Sequence, residues 1–524
     1  MASRSPVTIA VDAGTTGVRA LVVDEAARVV DVAYRELGQH FPRPGWVEHD
    51  ANEIWGAVRS TLNDVAGRLD HRRRVVRALG VTNQRETVVA WDRSTGRPLH
   101  RAIVWQDRRT GEACRALAEA GLLPLVRERT GLVLDPYFSA TKMQWLLRQG
   151  GLAVGPDLAL GTVDSWVLWN LTGGPRSGVF ATDTTNASRT LLFDIVARRW
   201  SGELCEVFGV PGSSLPEVRP SCGRFGRVSG DVLGAGSPLS DVPIGGMAGD
   251  QHAALFGQAC FTPGMAKVTF GTGSFVLMNA GPVCPTPVDG LITTVAWDLG
   301  EARDAVGAAD GDLAVSSVSY ALEGSVFASG AGVQWLRDGL GIIDEAAQTE
   351  PLARSVATSE GVVVVPAFTG LGSPHWDPDA RGTIVGLSRG IGRAHLARAM
   401  VEAMSFQVRD VVDAMAATGK APSLLRVDGG ASAMDLLLQL LADQSRLPVV
   451  RPTSVETTAI GAATLAGLAE GVWGSLEDLA GLWTEDAAFA PVATPAEAEE
   501  GHRAWERAVD RSRHWMSAPS DGKP

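Results

Sequence analysis

The chain has 524 residues, enough for two or three domains with substantial cores, and its 45% hydrophobic and 20% charged residues match folded globular proteins rather than disordered or collagen-like ones. With 47 basic against 59 acidic residues the net charge is −12, which opposes a phosphate backbone and disfavours nucleic acid, leaving a small molecule as the default ligand. Five cysteines without C-x-x-C spacing indicate neither a disulfide framework nor a zinc site and fit a cytoplasmic setting, while no segment reads as a signal peptide or as the roughly 18 apolar residues of a membrane span.

The opening reads as strand, turn, strand, turn, strand: VTIAVD, AGTTG, VRALVVD, EAA and RVVDVAYRE, rich in β-branched residues. A long amphipathic helix is predicted next, with Ile54, Val58, Leu62, Val65 and Leu69 at helical spacing and Asp50 and Glu53 placed as a capping box. A strand at RALGVTNQ, a hairpin-like pair at TVVAWDRSTGRPL and helical stretches around 111–129 and 140–149 make the first half α/β. In the middle, GMAKVTFGTGSFVLMNAG repeats the opening grammar, with Gly271-Thr272 lying 257 residues beyond Gly14-Thr15. Duplication of one α/β unit is the economical reading, and it brings two glycine-bearing turns to a cleft between two lobes. The second half alternates strands at GVVVVPAF and LLRVDGG with helices at 394–417, 434–444 and 455–470, the last rich in Ala and Gly and suited to close packing on a sheet. A charged helix from about Pro495 to Met516 and a polar tail from about 517, expected to be disordered, end the chain.

Between Asp12 and Arg19, two glycines and two threonines present backbone N–H groups and hydroxyls that suit phosphate oxygens. Asp12 at the strand end can orient a hydrated divalent cation, and Arg19 adds a forked cation. Alone, such a turn is more often a tight hairpin that needs glycine; the second copy, Phe270 to Ser274, changes the weighing, because a nucleoside triphosphate held between lobes requires two. Asp250 follows the apolar strand VPIGGMAG and is expected at a strand end on the same cleft, where a carboxylate can take the proton of an alcohol attacking phosphorus, although an Asp after Gly is commonly a turn or cap. Arg85 and Glu86 set a cation beside an anion, a pairing that meets adjacent hydroxyls of a polyol, with Trp105 and Tyr137 available to pack on its carbon chain; the competing reading is a surface ion pair. The run HRRRVVR at 71–77 reads as a solvated helix end, and the nine histidines show no metal-ligand spacing.

In AVDAGTTGVRA, GWVEHDANEIW, GVTNQRET, AIVWQDRRT, TNASRT, GDQHAALFGQ, GTGSFVLMN, ALEGSVF, VVPAFTGLGSPHWDP and LRVDGG, and in signature stretches from Tyr137 to Gln149 and from Gly382 to Glu402, the chain resembles the FGGY carbohydrate kinases over nearly its whole length. The resemblance implies an α/β, duplicated actin-like (ribonuclease H-like) ATPase fold with two lobes around a central cleft. Residues 1–256 would form the N-terminal lobe, with the acceptor and first phosphate turn, and 257–524 the C-terminal lobe, with the second phosphate turn and adenosine site. It also implies ATP and Mg2+ as cofactors, glycerol as acceptor, and a homo-oligomer, dimer or tetramer, as one state compatible with the family. On matching positions Asp250 is the general base, and Arg85, Glu86, Trp105, Tyr137, Asp250, Gln251 and Phe275 surround the acceptor. Thr15, Thr16, Gly17, Arg19, Gly271, Thr272, Gly330, Gln334, Gly430 and Met434 meet the nucleotide, Arg19 helping to neutralise the transferring phosphoryl, while Asp12 and Asp250 lie near the metal through water.

The chain departs from the family's glycerol-phosphorylating members at several positions. Ala13 and Gly17 stand where Gln and Ser are usual, which removes a hydroxyl from the first turn; His252 replaces a Gln, and His375 a Tyr. Met434 takes the place of an Asn beside the adenine, so weaker adenine discrimination is expected. The segment 298–319 is longer, and the loop GSPLSDVPIGG lacks the Arg associated with sugar-bisphosphate inhibition. Two other activities fit parts of the same pattern: a kinase of another polyol or a ketopentose, and an actin- or chaperone-like ATPase scaffold without acceptor chemistry.

Overall fold

Alternation of β-branched and small residues along the N-terminal strands builds the first of two large sheets. In the computed structural model, which describes residues 4–300 and 317–516, β1 (Ser5–Ala13), β2 (Gly17–Asp24), β3 (Val29–Glu36), β4 (Arg74–Asn83), β5 (Cys222–Arg227) and β6 (Pro243–Gly249) lie in the order β5-β6-β4-β1-β2-β3. β1 is antiparallel to β2 and parallel to β4, and β4 is parallel to β6. The carboxyl ends of β1, β4 and β6 therefore share one edge, with Ala13 beside Asn83 and Asn83 beside Gly249. In such sheets this is the edge that meets ligands.

Helix α1 (Ala51–Arg68) buries the predicted face, Ile54, Val58, Leu62 and Val65 included, against β2 and β3. Asp50 caps it by accepting from the Asn52 N–H at 2.9 Å. The expected capping box does not close, because Glu53 instead accepts from the Gly38 N–H at 2.8 Å and ties down the loop after β3. The predicted helix at 111–129 divides at Gly121, whose φ of 76° ends one helix, Gly111–Glu119, before the next, Leu123–Thr130. The hairpin expected at TVVAWDRSTGRPL is slight: Val88–Asp92 pairs along its length with Leu158–Thr162, and the local contact is a single bridge from Trp91 to Pro98.

The second sheet contains β7 (Met265–Phe270), β8 (Ser274–Gly281), β9 (Ile292–Asp298), β10 (Val318–Val326), β11 (Leu424–Asp428), β12 (Val449–Pro452) and β13 (Glu485–Phe489), in the order β9-β10-β8-β7-β11-β12-β13. β7 is antiparallel to β8 and parallel to β11, and β11 is parallel to β12, so the pattern of β2, β1, β4 and β6 returns strand for strand. This duplicated topology is the actin-like, ribonuclease H-like architecture, and the expected α/β class holds.

Helix α2 (Asp250–Gly257) leaves β6, helix α3 (Arg393–Ala417) covers the second sheet, and helix α4 (Thr457–Ala469) is the Ala/Gly-rich segment. As predicted, α4 packs closely on a sheet, but on that of the other half: it lies against β1, β4, β6 and α2. A Cβ on Gly461 would stand 1.8 Å from the Ala253 carbonyl oxygen, one on Gly257 2.0 Å from that of Thr457, and one on Gly80 2.1 Å from that of Ala462. Glycine at these three positions lets backbone meet backbone, which any side chain would forbid. Helix α5 (Pro495–Ser512) opens with a capping box of Thr494 and Glu497 and ends four residues short of the predicted Met516. Most of the segment 298–319 and the whole of the tail from 517 lie outside the described residues. Among the described residues no helix is long and apolar enough to cross a membrane.

Candidate active site

Each sheet contributes one glycine turn. In the first, the Gly14 N–H donates to the Gly17 carbonyl at 3.0 Å; in the second, the Gly271 N–H donates to Gly273 at 2.8 Å. Gly17 has a steric reason of its own: a Cβ there would lie 2.3 Å from the Tyr34 ring and 2.6 Å from the Arg35 carbonyl oxygen, so this backbone path leaves no room for a side chain. Thr15 points its Oγ1 to the Trp105 indole N–H, at 2.9 Å, and the Thr16 carbonyl accepts from Leu37 at 3.0 Å. Arg19 pairs with Asp12 at 2.7 Å and with Glu456 at 2.7 Å and is partly exposed.

Asp250 stands where β6 becomes α2, its side chain 30% exposed, and accepts from its neighbour's N–H (Gln251) at 2.7 Å. Its Oδ1 meets the Arg85 Nε at 3.2 Å. Arg85 is not a surface ion pair: it is 2% exposed and donates through Nη1 to Glu323 at 2.7 Å and through Nη2 to Glu323 at 3.1 Å and to the Tyr137 hydroxyl at 3.1 Å. Glu86, beside it in the left-handed region at φ 60°, accepts from the Arg189 Nε at 2.6 Å, and the same oxygen lies 3.8 Å from the Arg85 Nε. A buried non-glycine residue in that conformation costs on the order of 1 kcal/mol, and the Ser139 hydroxyl bonded to the Glu86 carbonyl at 3.1 Å helps hold it there. Burial pushes Glu86 upward against the pull of Arg85 and Arg189. Burial acts the same way on Glu323, but there the charges of Arg189 and Arg85 win and hold the carboxylate far below the usual range. Trp105 stands edge-on to Tyr137 and Phe275, with ring centroids 5.7 and 6.3 Å away, as the apolar wall of a cavity of about 270 Å³ that also touches Thr272 and Gly273.

Gln251 turns away from open space: its Oε1 accepts from the buried Lys267 ammonium, which also donates to Thr269 at 2.7 Å. His252 does not face the cleft either. Its ring is buried with Nε2 at 3.2 Å from the Thr294 hydroxyl, and burial, then the Arg85 charge, pushes its pKa well down. His375 faces the Asp410 carboxylate, which accepts from His502 at 2.7 Å and Trp505 at 2.8 Å of α5.

On the other side of the second turn, Gly271, Thr272, Gly330, Gln334, Gly430 and Met434 line one cavity of about 440 Å³, together with Val333 and Arg337. All six of these residues were expected to meet a nucleotide from the second lobe. The Gly330 N–H donates to Gly271 at 3.0 Å, and a Cβ on Gly330 would stand 2.5 Å from the Gly271 oxygen, so the second turn and the start of helix Gly330–Gln334 are fitted to each other. Thr272 borders both cavities. A larger cavity of about 510 Å³, between Phe256, Ile460 and Trp483, shares none of these residues.

The donor chemistry around Asp12 suits a hard divalent cation. Burial raises the Asp12 carboxyl, Arg19 opposes this, and the nearby negative charges of Asp250 and Glu456 raise it further. Clustered carboxylates of this kind match magnesium held largely through water and phosphate oxygens. Among the described residues no group of three or more His, Cys, Asp or Glu is arranged to cage a metal without such help.

Four further residues complete the site and went unnoticed in the sequence. Arg189, Glu323 and Lys267 are its buried charges; Lys142 donates to the carbonyls of Tyr137 at 2.6 Å and Phe138 at 2.9 Å, and burial lowers it to about 7. A charged residue interrupting an otherwise apolar strand, as in YALEGSV and MAKVTF, was the available signal.

Duplicated sheets, a glycine turn from each and a cleft between them define a two-lobed phosphotransferase. The chain belongs to the FGGY family of carbohydrate kinases: residues 7–257 match the family's N-terminal domain and residues 266–470 its C-terminal domain. Among curated relatives, the glycerol kinase of Bordetella parapertussis is 48% identical over 520 residues, 98% of each chain. That of Leptothrix cholodnii is 50% identical over 510 residues, 96% of this chain and 98% of the relative. Among solved structures, the Plasmodium falciparum glycerol kinase with ADP aligns with a TM-score of 0.86 at 33% identity, covering 97% of this chain and 98% of the other. Gluconate kinase from Lactobacillus acidophilus, at 20% identity and a TM-score of 0.82 over 97% of each chain, shares the fold.

Proposed function

We propose that this chain transfers the γ-phosphoryl group of ATP to a terminal hydroxyl of glycerol, giving sn-glycerol 3-phosphate and ADP. The observation that carries this reading is the position of Thr272, which borders both the aromatic cavity lined by Trp105, Tyr137 and Phe275 and the cavity lined by Gly271, Gly330, Gly430 and Met434; Arg85 bonds the Tyr137 hydroxyl of the first at 3.1 Å. An acceptor in the first and a triphosphate entering from the second meet at that turn. The relatives' names supply the acceptor, and the clustered hydrogen-bonding groups of Arg85, Tyr137 and Asp250 against apolar Trp105 and Phe275 suit a short polyol.

In this reading Asp250 takes the proton of the attacking hydroxyl, and Arg85 orients both that carboxylate and the acceptor. The turns at Gly14 and Gly271 hold the phosphates with backbone N–H groups. Magnesium, near Asp12 and Asp250, supplies charge neutralisation to the phosphate oxygens when bound. Arg19, tied to Asp12 and Glu456, orders that carboxylate. We read the lobes as dividing near residue 257, and the five free thiols as fitting a reducing cytoplasm. A coupled assay of ADP release, run with and without glycerol and with a panel of ketopentoses and longer polyols, tests the proposal. Release that glycerol does not stimulate would refute it.

A further inference from the structure

The second sheet sends one carboxylate into the acceptor cluster. Along β10, side chains alternate, so Leu322 and Gly324 turn toward the layer that holds α3 while Ala321, Glu323 and Ser325 face the opposite way. Glu323 sits mid-strand, opposite Leu277 of β8 and Ile292 of β9, and its neighbour Ser325 is paired with Phe275. The strand pair that builds part of the aromatic wall therefore also delivers the charge.

Glu323 is fully buried, and three strong contacts engage it: Arg85 at 2.7 and 3.1 Å, Arg189 at 3.0 Å, with the Ser325 hydroxyl at 3.3 Å. Both arginines belong to the first half of the chain. Two guanidinium groups and two carboxylates enclosed this way are a poor means of stabilising a core, since apolar residues of the same volume serve as well or better. What the arrangement does supply is direction. With Nη1 and Nη2 engaged by Glu323, the planar fork of Arg85 sets its Nε 3.2 Å from Asp250, with Glu86 further off at 3.8 Å, and its second Nη2 contact on the Tyr137 hydroxyl. If Glu323 lost its charge, the nearest strong partners left to Arg85 would be Asp250 and, at 3.8 Å, Glu86, and the guanidinium would turn onto the group that must face the acceptor.

We propose that Glu323 is a positioning residue for the acceptor: a carboxylate from the second sheet that fixes the Arg85 fork and makes the acceptor site complete only when the two sheets are correctly placed. The inference rests on the reading of Arg85, Tyr137 and Asp250 as the acceptor site. A shift of one sheet by an ångström breaks the 2.7 Å contact, so the acceptor site senses the relation of the lobes that also sets the nucleotide cleft.

The test uses the full-length enzyme and two variants, Glu323→Gln and Glu323→Asp, with kcat, KM for the acceptor, KM for ATP and the melting temperature measured for each. In Glu323→Gln, kcat/KM for the acceptor is expected to fall at least about tenfold while KM for ATP stays within about twofold, with Glu323→Asp recovering part of the loss because the charge returns on a shorter stem. Acceptor constants unchanged in both variants overturn the proposal. So does a parallel loss for acceptor and ATP that follows the loss of folded protein, which is the mark of a merely structural role. Should Glu323→Gln fail to fold, Glu323→Asp is judged by the same two criteria. The parent enzyme separates the two ideas: if it uses a polyol other than glycerol, the proposed substrate is wrong and the comparison is made on that polyol; if it uses no acceptor, both fall.

Discussion

Replacing Asp250 by Asn removes the proposed base while leaving its shape. The amide oxygen can still accept from the Gln251 N–H and from the Arg85 Nε, the two contacts the carboxylate makes at 2.7 and 3.2 Å. Arg85 keeps both bonds to Glu323, so no buried charge is abandoned, and because Asp250 is partly exposed the stability change is expected to stay within about 1 kcal/mol. The catalytic loss is a different matter. Loss of a general base costs about 10²- to 10⁴-fold in kcat, or about 3 to 5 kcal/mol of barrier at about 1.4 kcal/mol per decade. Loss of the charge removes repulsion toward the triphosphate but also attraction for the magnesium placed near Asp12 and Asp250, so the base role is judged on kcat at saturating ATP and magnesium rather than on KM for ATP. The assay is ADP release at saturating glycerol and ATP, with thermal unfolding of the same preparations. Turnover within about threefold of the parent would take Asp250 out of the base role, and a large drop in melting temperature would show that its contribution is structural.

Arg85→Ala is predicted to damage stability as well as acceptor use: Glu323 and Glu86 would be left buried with Arg189 alone, a loss of about 3–5 kcal/mol in urea unfolding, and acceptor KM should rise by roughly 10- to 150-fold. An unchanged unfolding midpoint would refute the first part. Met434→Asn places an amide in the cavity beside Gly430 and should tighten ATP by roughly 2- to 12-fold while widening the preference for ATP over GTP; equal ratios of kcat/KM in parent and variant would mean that the side chain does not face the base. Asp164 is raised by burial to about 7, against the hydroxyl donors Thr162 and Thr182. Its folded state keeps a proton that the unfolded chain has released above about pH 4, so its stabilising effect is complete below that pH and disappears as pH rises through 7, with a slope of up to about 1.4 kcal/mol per pH unit. Asp164→Asn should flatten the melting temperature between pH 4 and 7; a slope equal to the parent's would show that Asp164 is ionised throughout.

What could be read from the sequence was what local chain geometry dictates. Gly17 and Gly273 have no room for a Cβ, which would stand 2.6 Å from the Arg35 oxygen and 2.2 Å from the Val326 oxygen, and the recurrence of the glycine turn half a chain apart disclosed the duplication that the two sheets display. Asp250 stood out because it follows an apolar strand and a glycine. The charges that complete the site follow no such rule: Arg85 meets Glu323 across 238 residues, and Arg189 meets Glu86 across 103. Only the fold brings these together, and a single sequence carries no sign of the pairing beyond a charge in an apolar strand. Glu53 misled for a related reason, since the Gly38 N–H, distant in sequence, competed successfully with the local capping box. The pairing of Arg19 with Glu456, 437 residues away, was equally out of reach of the sequence.

The seating of α4 on the first sheet has a consequence for the order in which the molecule is made. Ala10, Leu21 and Val23 of the first two strands form a common apolar cluster with Ala459, Ala462 and Ala463, and Gly80, Gly245 and Gly246 present bare backbone to the same helix. During synthesis the ribosome releases this sheet long before it has produced residue 457, so the nascent N-terminal half waits with one face uncovered for most of the time translation takes. Until residue 457 of 524 has emerged, that half is expected to leave its apolar face uncovered. Residues 1–257 produced alone should therefore be protease-sensitive and prone to self-association, and a stable monomeric fragment of that length would show that the sheet needs no cover.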